Sequence, residues 1–209
     1  MAKLIYVKAS PRKDRSHSSR VAKQFVDSYR ATHSKDTVEE FDLWNMDLPP
    51  FNGDTIDAKY AVMHQNSQTE EQQKAWNRVT TMFQQFTDAD KYLFSVPMWN
   101  FGIPYRLKHY IDILTQPGLA FNVTPEGGYI GLVTGKPVVV VYSSGGGYRP
   151  GSGAEAYDLQ KPYLKTWFQF IGFKDIQEIV VDGTLGDPAK AKQTEASCLK
   201  EASEIAKNY

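Results

Sequence analysis

A short segment near the N-terminus, residues 10–18 (SPRKDRSHS), combines hydroxyl groups and cations just before a predicted helix. The hydroxyls belong to Ser10, Ser16 and Ser18, and His17 lies between the last two. The amino end of a helix attracts phosphate through its free N–H groups and its dipole, so this segment could bind a phosphate group. Alternatively, one of these serines is an ordinary helix cap. The segment alone favours neither interpretation, and it lacks the glycines of the P-loop and of the dinucleotide-binding fingerprint.

A second segment, residues 144–152 (SGGGYRPGS), is rich in glycine and directly follows a strongly apolar run. Successive glycines let a ligand approach the backbone closely and leave N–H groups free to donate. A glycine-rich turn can also be no more than a flexible loop, and Pro150 stands where the dinucleotide fingerprint needs its last glycine.

A third segment, residues 96–104 (VPMWNFGIP), places two large aromatic residues between a predicted strand and a predicted helix. Turns usually contain small polar residues. The aromatic side chains therefore either fold back onto the core or surround a flat ligand, whose polar rim would meet the backbone of the turn. The candidate ligand-binding residues of the turn are Pro97, Met98, Trp99, Asn100 and Phe101.

Hydrophobic patterning predicts the elements that position these segments. Five apolar runs are typical of strands, and helical periodicity follows each of them. The predicted strands are residues 3–9, 37–43, 91–96, 137–143 and 175–181. Regular alternation of strands and helices indicates an α/β fold, a flavodoxin-like three-layer sandwich with a five-stranded parallel sheet of order 2-1-3-4-5. Residues 44–66 are expected to be irregular, and residues 116–136 to form an excursion that could contain a small hairpin.

In this strand order, ligands bind at the carboxyl ends of the strands, near the first and third strands. The loops at residues 10–18, 97–103 and 144–152 should therefore line one site. A phosphate-binding loop beside an aromatic turn and a glycine-rich loop fits a mononucleotide with a large ring. FMN fits better than AMP, because the turn is rich in aromatic residues and the phosphate loop lacks an acid that could hold a metal.

The composition of the 209-residue chain bounds its class and location. It is an ordinary globular mixture with 41% hydrophobic residues, so we expect one domain over residues 1–209. Basic and acidic residues both number 24, which favours neither nucleic acid nor a membrane surface as a partner. Cys198 is the only cysteine and the four histidines are scattered, so we expect no disulfide and no metal. The absence of a signal peptide or a spanning segment predicts a cytoplasmic protein.

Together the motifs resemble those of the FMN-dependent NADH azoreductases, flavodoxin-like reductases of quinones and azo dyes. The matching motifs are SxxxxxSxS at 10–18, PMWNFGIP at 97–104, GLVTGK at 131–136, SSGG at 143–146 and PYLKTWFQFIGF at 162–173. The resemblance implies a homodimer with one FMN per subunit, bound near the interface.

The same resemblance implies roles for individual residues. The phosphate end of FMN would be held by Ser10, Ser16, His17 and Ser18. The turn from Met98 to Phe101 would line the isoalloxazine. Its pyrimidine edge would be met by Ser143, Ser144, Gly145 and Gly146. Phe121, with Trp167 or Phe168, would wall the substrate pocket. Trp167 and Phe168 also lie on a predicted helical stripe, which is typical of core residues.

The expected function is FMN-dependent transfer of two electrons from NADH or NADPH to quinones and azo compounds. Donor and acceptor would share one face of the flavin, which predicts ping-pong kinetics. Such a transfer depends on hydride geometry, so no catalytic side chain is predicted. The choice between NADH and NADPH stays open, because Arg149 could contact the 2′-phosphate of NADPH or nothing.

Two alternatives belong to other functional classes. A flavodoxin-type electron carrier would bind FMN without oxidising NAD(P)H itself, but such carriers are usually strongly acidic and this chain is neutral. A receiver-type signalling domain would need acids at the ends of the first and third strands. Those ends are Ala9-Ser10 and Val96-Pro97, which argues against this alternative.

Overall fold

The computed structural model describes residues 1–209, and its centre is a five-stranded parallel sheet. The seven strands of the chain are β1 (Lys3–Lys8), β2 (Thr37–Asp42), β3 (Lys91–Pro97), β4 (Phe121–Val123), β5 (Tyr129–Gly131), β6 (Val138–Ser143) and β7 (Ile176–Val181). The sheet has the order β2-β1-β3-β6-β7, and β4 and β5 form a separate antiparallel hairpin. Without the hairpin, this is the predicted order 2-1-3-4-5, so the flavodoxin-like architecture is confirmed.

Helices cover both faces of the sheet. They are α1 (His17–Thr32), α2 (Gly53–Met63), α3 (Glu70–Thr87), α4 (Tyr105–Leu114), α5 (Gln160–Ile171) and α6 (Pro188–Lys207). Successive strand residues point to opposite faces, so Leu4 packs with α1 and α6, and Ile5 with α3, α4 and α5. The result is three layers with two separate apolar cores. None of the helices is both long and apolar enough to cross a membrane.

Strands β3, β6 and β7 end level with one another, which places the three loops after them side by side. All six residues of β6 are buried, as expected for a central strand covered on both faces. The register pairs Ser143 at the end of β6 with Pro97 of β3 and with Val181 of β7. The loops that follow β3, β6 and β7 therefore leave the same edge of the sheet together.

Helix boundaries follow local capping chemistry. Thr69 and Gln72 form a capping box at the start of α3. Asp187 caps α6, where its carboxylate accepts hydrogen bonds from the amides of Ala189 and Lys190. Cys198 is buried on the inner side of α6 and donates to the carbonyl of Val180 at 3.4 Å.

The expectation that residues 44–66 are irregular is wrong, because α2 lies within them. The side chain of Asn52 accepts a hydrogen bond from the amide of Thr55 and caps this helix. Several apolar residues of α2, including Ile56, Tyr60 and Met63, are exposed. The sequence therefore shows no inward apolar stripe at helical spacing, which is the signal that reveals the other helices.

The excursion at residues 116–136 contains the expected hairpin and lies against the end of α5. The amide of Val133 donates to the carbonyl of Ile171 at 2.8 Å. A Cβ atom on Gly131 would lie 2.3 Å from the backbone nitrogen of Gly172 and from the carbonyl carbon of Ile171. The absence of a side chain at Gly131 therefore permits direct backbone contact between β5 and α5.

Candidate active site

The three segments singled out by the sequence meet in one cleft of 170 Å³ at the carboxyl edge of the sheet. Ser10, Ser16 and His17 line it from the first loop, and Trp99 and Ser144 are among those that line it from the second and third. The cleft is bordered by the exposed aromatic turn, so a ligand larger than 170 Å³ would extend over that turn. The structure thus brings the three loops together at one edge of the sheet, as the strand order predicts.

A larger cleft of 410 Å³ lies beside α1 and β2 and shares only Ser10 with the first. Its charges neutralise one another, since Lys8 pairs with Glu40 and Lys23 pairs with Asp27. This cleft offers neither the uncapped helix end nor the aromatic turn. The smaller cleft is therefore the better candidate for a functional site.

The amino end of α1 is left without a side-chain cap. Ser16 occupies the N-cap position, yet its side chain makes no capping hydrogen bond, and the first turn contains no acid. Its buried hydroxyl lies instead 3.2 Å from the hydroxyl of Ser18, which is fully buried. The alternative of an ordinary capping serine is thus disfavoured for Ser16. The positive end of the helix dipole remains available to an anion.

His17, the first residue of α1, is held by a carboxylate from the last helix. Its Nδ1 lies 2.7 Å from Oε2 of Glu195, and Arg20 donates to both oxygens of Glu195 at 2.6 and 2.8 Å. These contacts, with the Arg20 hydrogen bonds first, lower the pKa of Glu195 below its usual 4.5. Glu195 is therefore ionised at neutral pH, and its charge is matched by Arg20.

The aromatic turn is a two-residue hairpin with an unusual backbone. Trp99 and Gly102 exchange both of their backbone hydrogen bonds at 3.0 Å, and the two residues between them have positive φ angles, 46° at Asn100 and 71° at Phe101. This is the pattern of a type I′ turn, in which asparagine and glycine are favoured. Phenylalanine there is strained, and strain of this kind concentrates at functional sites. The amide of Leu159 supports the turn by donating to the carbonyl of Phe101.

The positive φ angle of Asn100 can be tested with two variants, one with alanine and one with glycine at this position. Asn100→Ala should lower the free energy of unfolding by about 1 kcal/mol, because a Cβ without a compensating polar group is unfavourable in the left-handed region. Asn100→Gly should cost much less, because glycine adopts this region freely. Urea unfolding of both apoproteins measures the difference. Equal destabilisation by alanine and glycine would contradict the turn geometry.

The two aromatic residues of the turn point in different directions. Trp99 is half-buried and packs beside Trp44, with ring centroids 5.6 Å apart, and beside Tyr105 at 6.3 Å. Phe101 is 46% exposed and its ring lies 5.4 Å from that of Tyr157. The turn therefore both folds back onto the protein, through Trp99, and presents an aromatic face, through Phe101.

A fourth loop, residues 182–186, completes the glycine-rich side of the cleft. The carbonyls of Ser144, Gly145 and Gly146 accept hydrogen bonds from the amides of residues 184, 185 and 183 respectively. Thr184 and Leu185 line the cleft, and Leu185 is 88% exposed. Neither residue was predicted from the sequence, and Arg12, one of the cations of the first loop, also lines the cleft. The signal for the fourth loop was available, because β7 neighbours β6 and ends in the glycine-containing stretch DGTLG.

Comparison with known proteins identifies the family. A family model described as a flavodoxin-like fold matches residues 2–205. The chain belongs to this flavodoxin-like family.

Relatives within the flavodoxin-like family are similar over nearly their full length. A protein of Desulfotalea psychrophila named FMN-dependent NADH:quinone oxidoreductase is 46% identical, covering 99% of this chain and 97% of the relative. Another of that name, numbered 2, from Pseudomonas syringae is 40% identical over 97% of both chains. The structure of an FMN-dependent NADH-azoreductase from Bacillus anthracis in complex with FMN has a TM-score of 0.88 and 30% identity, covering 100% of this chain and 99% of that one. The resemblance inferred from the motifs is confirmed.

Not every residue predicted for the site of this flavodoxin-like protein lines the cleft. Trp167 and Phe168 belong to the apolar core, where Trp167 donates to the hydroxyl of Thr115 at 2.9 Å and Phe168 is fully buried. The helical spacing of these two residues therefore reflects core packing, and the expectation that they wall the substrate pocket is not met. Phe121 packs on the hairpin, with its ring 4.7 Å from that of Phe170, and lies outside the cleft lining. Four further candidates border the cleft rather than line it: Ser18, Asn100, Phe101 and Gly146.

Arg149, the candidate contact for a 2′-phosphate, is already paired. Its Nε and Nη2 donate to the two carboxylate oxygens of Asp182 at 2.7 and 2.8 Å. This bidentate pair joins the glycine-rich loop to the fourth loop. The guanidinium is therefore committed to a carboxylate within the protein.

Proposed function

We propose that this protein is an FMN-dependent NADH:quinone oxidoreductase that also reduces azo compounds. The observation that carries the proposal is the uncapped amino end of α1, with the buried hydroxyls of Ser16 and Ser18, beside an aromatic turn and a glycine-rich loop. These groups fit the phosphate and the ring of FMN. The names of relatives at 46% and 40% identity support the same cofactor and donor.

The residues of the cleft divide into two ends. Ser10, Ser16, His17 and Ser18 would hold the phosphate, since they surround the positive end of a helix. The turn from Met98 to Phe101 and the backbone of residues 143–146 would hold the ring. When bound, FMN supplies hydride acceptance and two-electron transfer. The chain's own residues bind and orient the cofactor, and the nearby hydroxyls and amides stabilise its negative charge.

We further propose that donor and acceptor use one exposed face in turn, which gives ping-pong kinetics. Phe101 is the exposed aromatic face beside the cleft, and it suits flat ring substrates of both kinds. No side chain is assigned a proton transfer. The pairing of Arg149 with Asp182 favours NADH over NADPH, because the charge of the guanidinium is already matched by a carboxylate of the protein.

We propose that the functional unit is a homodimer whose interface adjoins the cleft. Phe101, Tyr157 and Leu159 are large, apolar and about half exposed, and they lie together through the contacts of the turn. Such a patch beside a site is typical of an interface. The predicted role of Phe121 as a substrate wall would then depend on the second subunit. One domain over residues 1–209 in the cytoplasm, where NADH is available, fits this proposal.

An absorption spectrum tests the proposed function. Purified protein is titrated with FMN, and NADH is then added without air, followed by a quinone. We expect a bound-flavin spectrum that bleaches with NADH and returns with the quinone. Flavin that binds but does not respond to NADH or NADPH would instead indicate an electron carrier. Absence of FMN binding would contradict the assignment of all three loops.

A further inference from the structure

Three side chains link the last helix to the phosphate loop, and the proposed function gives two of them no role. Glu195 on α6 contacts both His17 and Arg20 on α1. We refer to Arg20, Glu195 and His17 as the brace. Glu195 is separated from His17 by 178 residues in sequence, so the contact exists only in the folded chain.

The brace fixes the phosphate loop at two points. Glu195 accepts from Nε of Arg20 through Oε1 and from Nη2 through Oε2, which orients the guanidinium as a planar fork. The remaining nitrogen of the fork, Nη1, donates to the carbonyl of Asp14 at 3.2 Å. Oε2 of Glu195 also lies 2.7 Å from Nδ1 of His17. One carboxylate thus holds the loop backbone through Arg20 and the first residue of α1 directly.

The contacts of His17 determine which of its ring nitrogens is free to meet a ligand in the cleft. Nδ1 of His17 lies 2.7 Å from Oε2 of Glu195 and 2.8 Å from Nη2 of Arg20. Both partners are on the Nδ1 side of the ring, so Nε2 is the ring nitrogen left for a ligand. His17 lines the cleft together with Ser16, whereas Glu195 and Arg20 do not line it. Glu195 therefore acts through His17 and through the loop. Because Arg20 matches its charge, Glu195 adds little repulsion toward a phosphate in the cleft.

We propose that Glu195 is a positioning residue for the phosphate group of FMN, which it serves by holding His17 and Arg20 in the arrangement that the phosphate loop requires. This inference rests on the proposed function. It predicts discrimination between flavins, since only the phosphate end of the cofactor depends on the brace. Riboflavin has the same ring as FMN without the phosphate, so it separates a positioning role from a structural one.

Glu195→Gln tests the proposal while keeping the size of the side chain. Dissociation constants for FMN and for riboflavin are measured by flavin fluorescence quenching of the apoprotein. We expect FMN affinity to fall about tenfold, as for the loss of a charged hydrogen-bonding partner, with riboflavin affinity unchanged. Glu204→Gln is the matched control, because Glu204 is an exposed glutamate of the same helix outside the ion pairs. It should leave both constants unchanged.

A double mutant distinguishes direct from indirect action. In a His17→Ala background, Glu195→Gln should weaken FMN binding by clearly less than tenfold, because part of its effect passes through His17. Equal loss of FMN and riboflavin binding in Glu195→Gln would show a structural role and overturn the proposal, as would unchanged FMN binding. A native protein that binds neither flavin would contradict both this proposal and the proposed function. If the native protein binds FMN and Glu195→Gln binds it equally well, only the role of Glu195 is contradicted and the proposed function stands.

Discussion

A Ser16→Asp variant is expected to be more stable than the native apoprotein and to bind FMN about a hundredfold more weakly. Ser16 occupies the N-cap position of α1 but makes no cap with its side chain. Aspartate is a strong N-cap and its charge suits the positive end of the helix, so we expect a gain of about 1 kcal/mol in unfolding free energy. The same carboxylate would occupy the amides offered to the phosphate and would repel it, which corresponds to a loss of ~2.7 kcal/mol in binding.

Two measurements check this expectation. Thermal unfolding of the apoprotein gives the stability change, and fluorescence titration with FMN and riboflavin gives the affinities. Ser34→Asp is the control, since it adds the same charge at an exposed position beyond the end of α1. It should leave FMN affinity unchanged. If Ser16→Asp binds FMN as tightly as the native protein, the phosphate does not lie at the amino end of α1.

Gly131→Ala is expected to destabilise the protein by about 2 kcal/mol, within the range of overpacking in a tightly filled interior. The added methyl group would lie 2.3 Å from backbone atoms of both Ile171 and Gly172. Backbone atoms cannot rotate away as a side chain can. Either the hairpin or the end of α5 must therefore move, and the hydrogen bond from Val133 to Ile171 would be strained.

Chemical denaturation of the variant measures the loss, with Gly53→Ala as the control. A Cβ at Gly53 has no atom within 4 Å and needs no special backbone angle, and the residue begins α2. Alanine there should be neutral or slightly stabilising, because it restricts the unfolded chain. An unchanged unfolding free energy for Gly131→Ala would mean that the hairpin can separate from α5 without cost.

The sheet and the position of the cleft could be predicted from sequence because they depend on strong, local signals. Buried parallel strands appear as continuous apolar runs, as at residues 137–143, and their alternation with helices restricts the topology to a few possibilities. The strand order then brings three unusual loops to one edge. Whether Ser16 caps its helix could not be predicted, because capping and anion binding use the same residue type at the same place.

The predictions from sequence failed where a residue pattern fits two different structural roles, or where the sequence contains no pattern that marks the element. Trp167 and Phe168 have helical spacing, which core packing and a substrate wall both satisfy, and the structure buries them. The helix α2 exposes several apolar residues, so its sequence lacks the periodicity that marks an amphipathic helix. Glu195 belongs to no motif of the sequence, and only the packing of α6 beside α1 gives it partners.

The lone thiol of the chain has a chemical consequence for a protein proposed to handle quinones. Quinones are electrophiles that alkylate thiolates. Burial raises the pKa of Cys198 to about 11, and its hydrogen is directed to the carbonyl of Val180. At neutral pH the nucleophilic form is scarce and covered. Cys198 is thereby protected from arylation by the quinones that we propose as substrates, and a cysteine introduced at the surface would be labelled selectively by a maleimide.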